Sequence, residues 1–503
     1  MKQIAGRYPV LIALLALSLN FLFIGKKTLW NDEAVSFYAS LDGLRSVLEW
    51  TAQDVHPPFY YLVLAAWLKL GESEIALRAL SALSMTGAAI FTFFATRRLF
   101  NPGTAFIAAL LFLSNPTTLT WAQKARPYGL QTLLVAVALW GFIAGFLALR
   151  TQNRWLGSGL AHALRHRRWG IAASTDIACL AYAVCGGLAM LAQHQAGFFV
   201  FGCNCAILFV LIRQWFSGER DAAKRLFINW VIGQLLLIGI WSLWLPFFLS
   251  QYQEHLTSSG LSTHGNYLVT AAEAWSITMG LLGSSTVWRL KPAIFALFMA
   301  CAIPACILLS RDRSDRRLMM IVLVAPLALC LVGFALVHPV FGYVLVTFAW
   351  LLVPYSIVLA AGITALPWRC VPCAALLALL AANAIGLRNY YTTEHQPLDR
   401  AAVYIAADIH PTDGFMVSKT DATRKGIGYY LRRAGADGVL DVSVFGPRMV
   451  RSLAQAQSHP RVWLILPAEE VPAVPLQTLS DTMRVGADRR FGELRVMRFD
   501  RIP

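Results

Sequence analysis

Run after run of apolar residues long enough to cross a bilayer, broken by short arginine-rich loops, constrains this chain more than any other feature. Residues 9–25, 75–96, 104–119, 128–149, 171–191, 196–212, 228–249, 292–310, 318–337, 343–366 and 370–388 read this way, though 104–119 is short. A spanning helix needs about 20 such residues. In lipid each backbone N–H and C=O must be satisfied inside its own segment, so such runs fold as helices. A soluble domain carries roughly 25% charged residues. Here the share is 14%, against 57% hydrophobic, so the chain is expected to be mainly α and polytopic. Its first run has a basic start but no small-residue cleavage site, and reads as a retained helix.

The formal charge of +16 does not imply a nucleic-acid partner, because the cations form no single face. They sit in loops at Arg97-Arg98, Arg150–Arg168, Arg213–Arg225 and Arg311–Arg317, the distribution expected of cytoplasmic loops. Residues 58–71 are apolar but too short to span easily, which suits an interfacial or re-entrant helix. With that choice the loop charges close on about eleven spans, N-terminus inside and C-terminus outside. The nine cysteines lie in or beside apolar runs; Cys370-Val371-Pro372-Cys373 has redox spacing but no surrounding βαβ pattern, Cys203-Asn204-Cys205 lacks the partners of a zinc site, and all nine read as small packing residues. From residue 389 the apolar runs shrink to strand length, at 414–417 and 461–466, between helical patterns at 399–408, 422–433 and 447–457. Two domains are expected: 1–388 in the membrane, with a first extracytoplasmic loop at 26–74, and 389–503 as a small extracytoplasmic α/β domain.

On this topology the polar motifs collect on one face. Trp30-Asn31-Asp32-Glu33-Ala34 follows the first helix, and Gln53-Asp54-Val55-His56-Pro57-Pro58 precedes the short one. Ionisable groups at membrane depth are costly and mark function by default. Asp32 and Glu33 suit a general base. They equally suit a divalent cation (Mg, Mn or Zn) bound through oxygen ligands, and Asp54 and His56 fit either role. Pro57-Pro58 starts the short helix, and Tyr60 and Tyr61 read as aromatic-belt residues. Lys124 and Arg126, beside Tyr128 at the mouth of two helices, suit a lipid phosphate. His194, Glu254, His255, His264 and His338 share that face. No Walker motif, dinucleotide fingerprint or nucleophile elbow occurs. An activated donor on this face would be lipid-linked.

The motifs Trp30-Asn31-Asp32-Glu33, Asp54–Tyr61, Ser73–Arg78, Ala95–Phe100 and Gln123–Tyr128, taken in order, resemble GT-C membrane glycosyltransferases. The chain is most similar to bacterial family 39, the protein-mannosyltransferase and aminoarabinose-transferase-like group. The resemblance is strong over about residues 28–130, and then rests on Gln193-His194. It implies a bacterial inner-membrane enzyme that moves a sugar from a polyprenyl-phosphate donor to a lipid, glycan or protein acceptor. By the same resemblance Asp32 is the base, Glu33 and Asp54 support it, and inversion follows at the anomeric carbon. His56, Lys124, Arg126, Tyr128 and His194 would bind substrate or lipid phosphate, and Asp32, Glu33 and His56 are the positions for any metal.

Two departures stand out. Lys124 occupies a position that is commonly Glu, and Gly342 replaces the Arg of a Pro-Arg-Tyr-like motif. The expectation is that Lys124 substitutes for the missing phosphate ligand. The alternatives are a transporter or a non-catalytic envelope scaffold. A transporter would place polar residues at midspan in broken helices, whereas these spans read as continuous.

Overall fold

Proline and asparagine set several of the helix starts. The computed structural model describes residues 6–54, 56–152, 154–258, 292–293, 296, 298–303, 307, 321–326, 345–367, 370–393, 397–417, 421–436, 442–444, 458–468 and 479–502. In chain order the helices are α1 (Tyr8–Phe21), α2 (Asn31–Leu41), α3 (Leu44–Ala52), α4 (Phe59–Trp67), α5 (Glu74–Leu99), α6 (Pro102–Ser114), α7 (Pro116–Ala122) and α8 (Pro127–Gly141). They continue with α9 (Ser158–His166), α10 (Ile171–Ala192), α11 (Ala196–Phe216), α12 (Arg220–Ser242), α13 (Leu245–Ser258), α14 (Leu352–Ala365), α15 (Cys370–Thr392), α16 (Leu398–Ala406) and α17 (Asp421–Arg433). Prolines 102, 116 and 127 each stand at a first helical position, where the missing N–H costs nothing. Asn101 and Asn115 cap the helices behind two of them, accepting from the Thr104 and Thr117 N–H groups at 3.0 and 2.8 Å.

Among the described residues seven helices are long and apolar enough to cross a membrane, or eight if the bent pair α6–α7 counts as one span. The protein is thus a multi-pass membrane protein, but the expected eleven spans are not reproduced. At 14 residues α1 is short of spanning length. Of the expected runs 292–310 and 318–337 only 292–293, 296, 298–303, 307 and 321–326 are described, and His264, His338, residues 341–343 and the 447–457 pattern lie outside the described residues. The expected run 104–119 is not continuous either: α6 and α7 meet at 64°. Pro116 removes a helical donor there, and the Asn115 side chain satisfies the freed backbone. The expected 228–249 run divides into α12 and α13. The short helix after Pro58 is present, as α4 with a 3₁₀ turn at Leu68–Leu70.

Two compact units divide the chain: 1–22, 43–69 and 78–392 in one; 23–42, 70–77 and 393–503 in the other. The first is the helical bundle. Within it α8 and the turn after it cross α10 closely. A Cβ on Gly141 would sit 2.5 Å from the Ala178 carbonyl oxygen, and one on Gly145 would sit 2.6 Å from the Cys179 amide nitrogen. Glycines four residues apart let two backbones touch, the packing favoured where lipid gives no hydrophobic drive. Residues 142–146 form a π turn at the same level. Near the other end of this antiparallel pair, Gln131 donates to the Gln193 carbonyl at 3.2 Å. The start of α8 is thereby tied to the loop after α10. The C-terminal carbonyls of α1 are served by Gln123, which donates to Leu22 at 2.7 Å and to Asn20 at 3.2 Å.

The second unit holds a five-stranded sheet in the order β2-β1-β3-β5-β4, with β1 Gly414–Val417, β2 Val442–Val444, β3 Arg461–Pro467, β4 Met483–Phe491 and β5 Leu494–Arg501. The first three strands are parallel, and β5 returns antiparallel beside β3. Met416, Val462, Leu464, Leu466, Met497 and Phe499 pack as its core. The boundary differs from the expected 388/389. Segments 23–42 and 70–77 of the first loop join this unit: α2 packs on α17, Tyr430 Oη accepts from the Leu29 N–H at 2.7 Å, and Tyr429 donates to the Glu72 carbonyl at 2.7 Å.

The seven described cysteines are free. Five are at least partly buried, but Cys370 and Cys373 are exposed at the start of α15 and do not pack as expected.

Candidate active site

Within the bundle the structure brings together four of the expected residues. His56, two residues before α4, is held from both sides. Its Nδ1 lies 2.8 Å from Asp54 Oδ2, and its Nε2 lies 3.2 Å from Arg126 Nη2. A guanidinium only donates, so Nε2 accepts and Nδ1 carries the proton that it shares with Asp54. This tautomer is assigned from the network. Arg126 precedes Pro127 at the head of α8 and is only 5% exposed. Its guanidinium also lies over the Tyr128 ring, 5.8 Å from the centroid.

His194 completes the group from the loop between α10 and α11. Burial, and then the nearby His56, lower its pKa from 6.5 to about 4, so the ring is neutral at ordinary pH. The Trp241 indole N–H points at its Nδ1 across 3.5 Å, near the limit of a hydrogen bond. Its Nε2 is buried, with no hydrogen-bond partner among the described residues. A neutral donor beside a guanidinium suits a phosphate or hydroxyl oxygen.

Lys124 lies two residues before Arg126. Its ammonium lies over the Trp121 ring at 5.3 Å, and that ring meets Tyr128 edge-on at 4.3 Å. Tyr60 and Tyr61 are fully buried rather than belt residues. Tyr61 packs edge-on against the His56 ring at 6.2 Å and against Trp50 at 5.1 Å. The sequence motif contained Tyr61 but gave it the wrong task. Trp241 carried no signal, because it lies in an apolar helix far along the chain. The side chains of Glu254 and His255 lie outside the description.

Asp32 and Glu33 belong to the second unit, in the first turn of α2, where acidic residues favour the helix end. They part company there. Glu33 is 1% exposed and turns back, its Oε2 accepting from the Trp30 N–H at 2.8 Å. Asp32 is partly exposed. Glu33 therefore caps its own helix, and Asp32 is the accessible carboxylate of the pair. Among the described residues no group of three or more His, Cys, Asp or Glu side chains is placed to hold a metal ion. Both His56 nitrogens are engaged, one by a cation, which disfavours this ring as a ligand.

Residues 55–212 match the family model described as dolichyl-phosphate-mannose-protein mannosyltransferase. The match contains His56, Lys124, Arg126, Tyr128 and His194, but neither Asp32 nor Asp54. The structure of the archaeal oligosaccharyltransferase AglB from Archaeoglobus fulgidus, in complex with an inhibitory peptide and a dolichol-phosphate, is similar over 92% of this chain and 69% of its own, with 13% identity and a TM-score of 0.51. The chain has the GT-C fold. ArnT from Cupriavidus metallidurans is also similar, at 14% identity and TM-score 0.43 in its apo state, over 98% of both chains. ArnT bound to undecaprenyl phosphate gives 15% identity and TM-score 0.42, over 97% of both. No curated protein matches the sequence.

Proposed function

We propose that this chain is a membrane glycosyltransferase that moves a sugar from a polyprenyl-phosphate donor to a lipid, glycan or protein acceptor. The observation that carries the reading is the Asp54–His56–Arg126 relay with neutral His194 beside it, lying almost wholly inside the segment that matches the mannosyltransferase model. The same fold carries a dolichol-phosphate and a peptide in AglB. Arg126, oriented by His56, binds the phosphate of the donor, and His194 Nε2–H donates to a second oxygen. Loss of the polyprenyl phosphate breaks the bond from the anomeric carbon to its phosphate oxygen. The acceptor oxygen forms the new bond from the opposite face, which inverts the centre, and its proton passes to a carboxylate. By family resemblance that base is Asp32; Glu33 caps the start of the helix that carries it, and Asp54 orients His56. On loop charge the site faces the extracytoplasmic side of a bacterial inner membrane, with the N-terminus cytoplasmic. A phosphate leaving group held by Arg126 needs no metal ligand from His56.

Purified protein offered a panel of polyprenyl-phosphate hexoses and pentoses, with and without chelator, tests this. Transfer from at least one donor, unchanged by chelator, is expected. Absence of transfer from every donor in the panel contradicts the reading.

A further inference from the structure

A polar cavity opens near the far end of α10 from His194. This 22-residue helix is about 33 Å long, so the cavity is remote from the relay. Its volume is roughly 690 Å³. Arg150 and Arg154 line it from the segment after α8, Arg213 from the last turn of α11, and Arg220 and Arg225 from the first turns of α12.

The turn between α11 and α12 builds the wall. Gly218 has a φ of +83°, the left-handed conformation that ends helices. Its N–H donates to the Trp215 carbonyl at 3.3 Å, and the Glu219 N–H donates to the Gln214 carbonyl at 3.0 Å. This pair of bonds is a Schellman turn. It points the basic end of one helix and the basic start of the next into the same space.

The lining is strongly cationic. It carries five arginines against two acids, Glu219 and Asp221. Cations at the start of α12 also oppose the helix dipole, at about 0.3–1 kcal/mol each for surface groups. Arg154 is committed to Asp176 at 2.6 Å. In the wall, Gln214 is only 7% exposed, and its Oε1 has no hydrogen-bond partner among the described residues. Arg225 Nε is buried and likewise without one. Either end of the Gln214 amide can turn to a ligand. Outside the cavity the helix flanks are apolar: Phe216 is 85% exposed, and Ile212, Phe227 and Ile228 are exposed as well. Guanidinium forks suit phosphate oxygens, and exposed apolar flanks suit acyl chains.

We propose that this cavity is a phosphate-binding site that takes the headgroup of an anionic phospholipid. A basic pocket between membrane helices has this chemistry. On loop charge it lies at the cytoplasmic edge.

The test uses the full-length protein, delipidated in detergent, and reads bound lipid by native mass spectrometry. The probes are phosphatidylglycerol, phosphatidylcholine and inorganic pyrophosphate. Wild type is expected to retain phosphatidylglycerol over phosphatidylcholine, and pyrophosphate to compete for the site. Arg213→Gln with Arg225→Gln should weaken phosphatidylglycerol about tenfold or more. Arg213→Lys with Arg225→Lys, which keeps the charge, should fall between. Gln214→Leu should weaken binding yet raise the melting temperature of the lipid-free protein, since it removes an unsatisfied buried amide. A merely structural role predicts a lower melting temperature for Gln214→Leu. Equal phosphatidylglycerol retention by wild type and both arginine double variants overturns the site. Pyrophosphate binding without phosphatidylglycerol binding overturns the lipid assignment.

Discussion

Replacing Arg126 by lysine keeps the charge and removes the fork. In the structure one guanidinium nitrogen is already given to His56 Nε2 at 3.2 Å. On the present reading the guanidinium also serves a donor phosphate. A single ammonium at this buried position, only 5% exposed, cannot reproduce both sets of contacts. Loss of one hydrogen bond to a charged group costs about 1.5–3 kcal/mol, which is roughly ten- to a hundredfold in kcat/KM. If the phosphate contact is the same in ground and transition states, the loss appears as a raised donor KM. If it strengthens as the phosphate leaves, kcat falls instead. The assay is steady-state transfer from a polyprenyl-phosphate sugar by Arg126→Lys, His56→Ala and the double variant. Because His56 and Arg126 touch, their effects should couple by about 0.5–3 kcal/mol. A folded Arg126→Lys protein with unchanged kcat/KM, or effects that add within about 0.3–0.5 kcal/mol, refutes the relay.

Three other outcomes follow from the geometry. Gly145→Leu drives a side chain into the α10 backbone, where even a Cβ would lie 2.6 Å from Cys179 N. It should lower thermal stability in detergent by more than the about 1–3 kcal/mol typical of overpacking, and an unchanged melting curve would contradict the close crossing. His194 is held neutral, with its pKa lowered from 6.5 to about 4. As pH falls through that window the unfolded chain takes up the proton first, so stability drops, and His194→Gln should flatten this acid limb of melting temperature against pH. Asp413 is buried in the second unit. Burial alone would raise its pKa, but hydrogen bonds from Arg461, the His410 N–H and Trp463 outweigh that and hold it low. Asp413→Ala leaves Arg461 without this partner and should cost about 3–5 kcal/mol, read by calorimetry as a selective loss of one unfolding transition.

The parts of the molecule that were legible in sequence are those governed by local rules. Apolar length revealed most spans, and Pro57-Pro58 located the short helix α4. The relay was half legible. Asp54, His56 and Arg126 were singled out by motif, and Asp54–His56 is a contact two residues apart, but the bond from His56 to Arg126 joins positions seventy residues apart and depends on tertiary packing. Trp241 reaches His194 only through tertiary packing. The bend at Asn115-Pro116 was written in the sequence, as a cap followed by a proline, yet a hydropathy window averages across it. Strands β4 and β5 were missed for a related reason. Arg484, Arg489 and Arg490 make β4 look like a loop, whereas a strand at the edge of the sheet tolerates charge on its open face. Gly492, with a φ of +51°, is the turn signal that separates it from β5. The association of 23–42 with the C-terminal unit depends on Tyr429 and Tyr430, some four hundred residues away.

The central claim is tested most directly by measuring polyprenyl phosphate released per sugar transferred, for wild type and Asp32→Asn, with the anomeric configuration of the product. The account predicts one released lipid phosphate per transfer and an inverted product. It also predicts a loss of about 10²–10⁴-fold in turnover for Asp32→Asn, with the variant still folded. Undiminished transfer by Asp32→Asn, or a product with retained configuration, contradicts it.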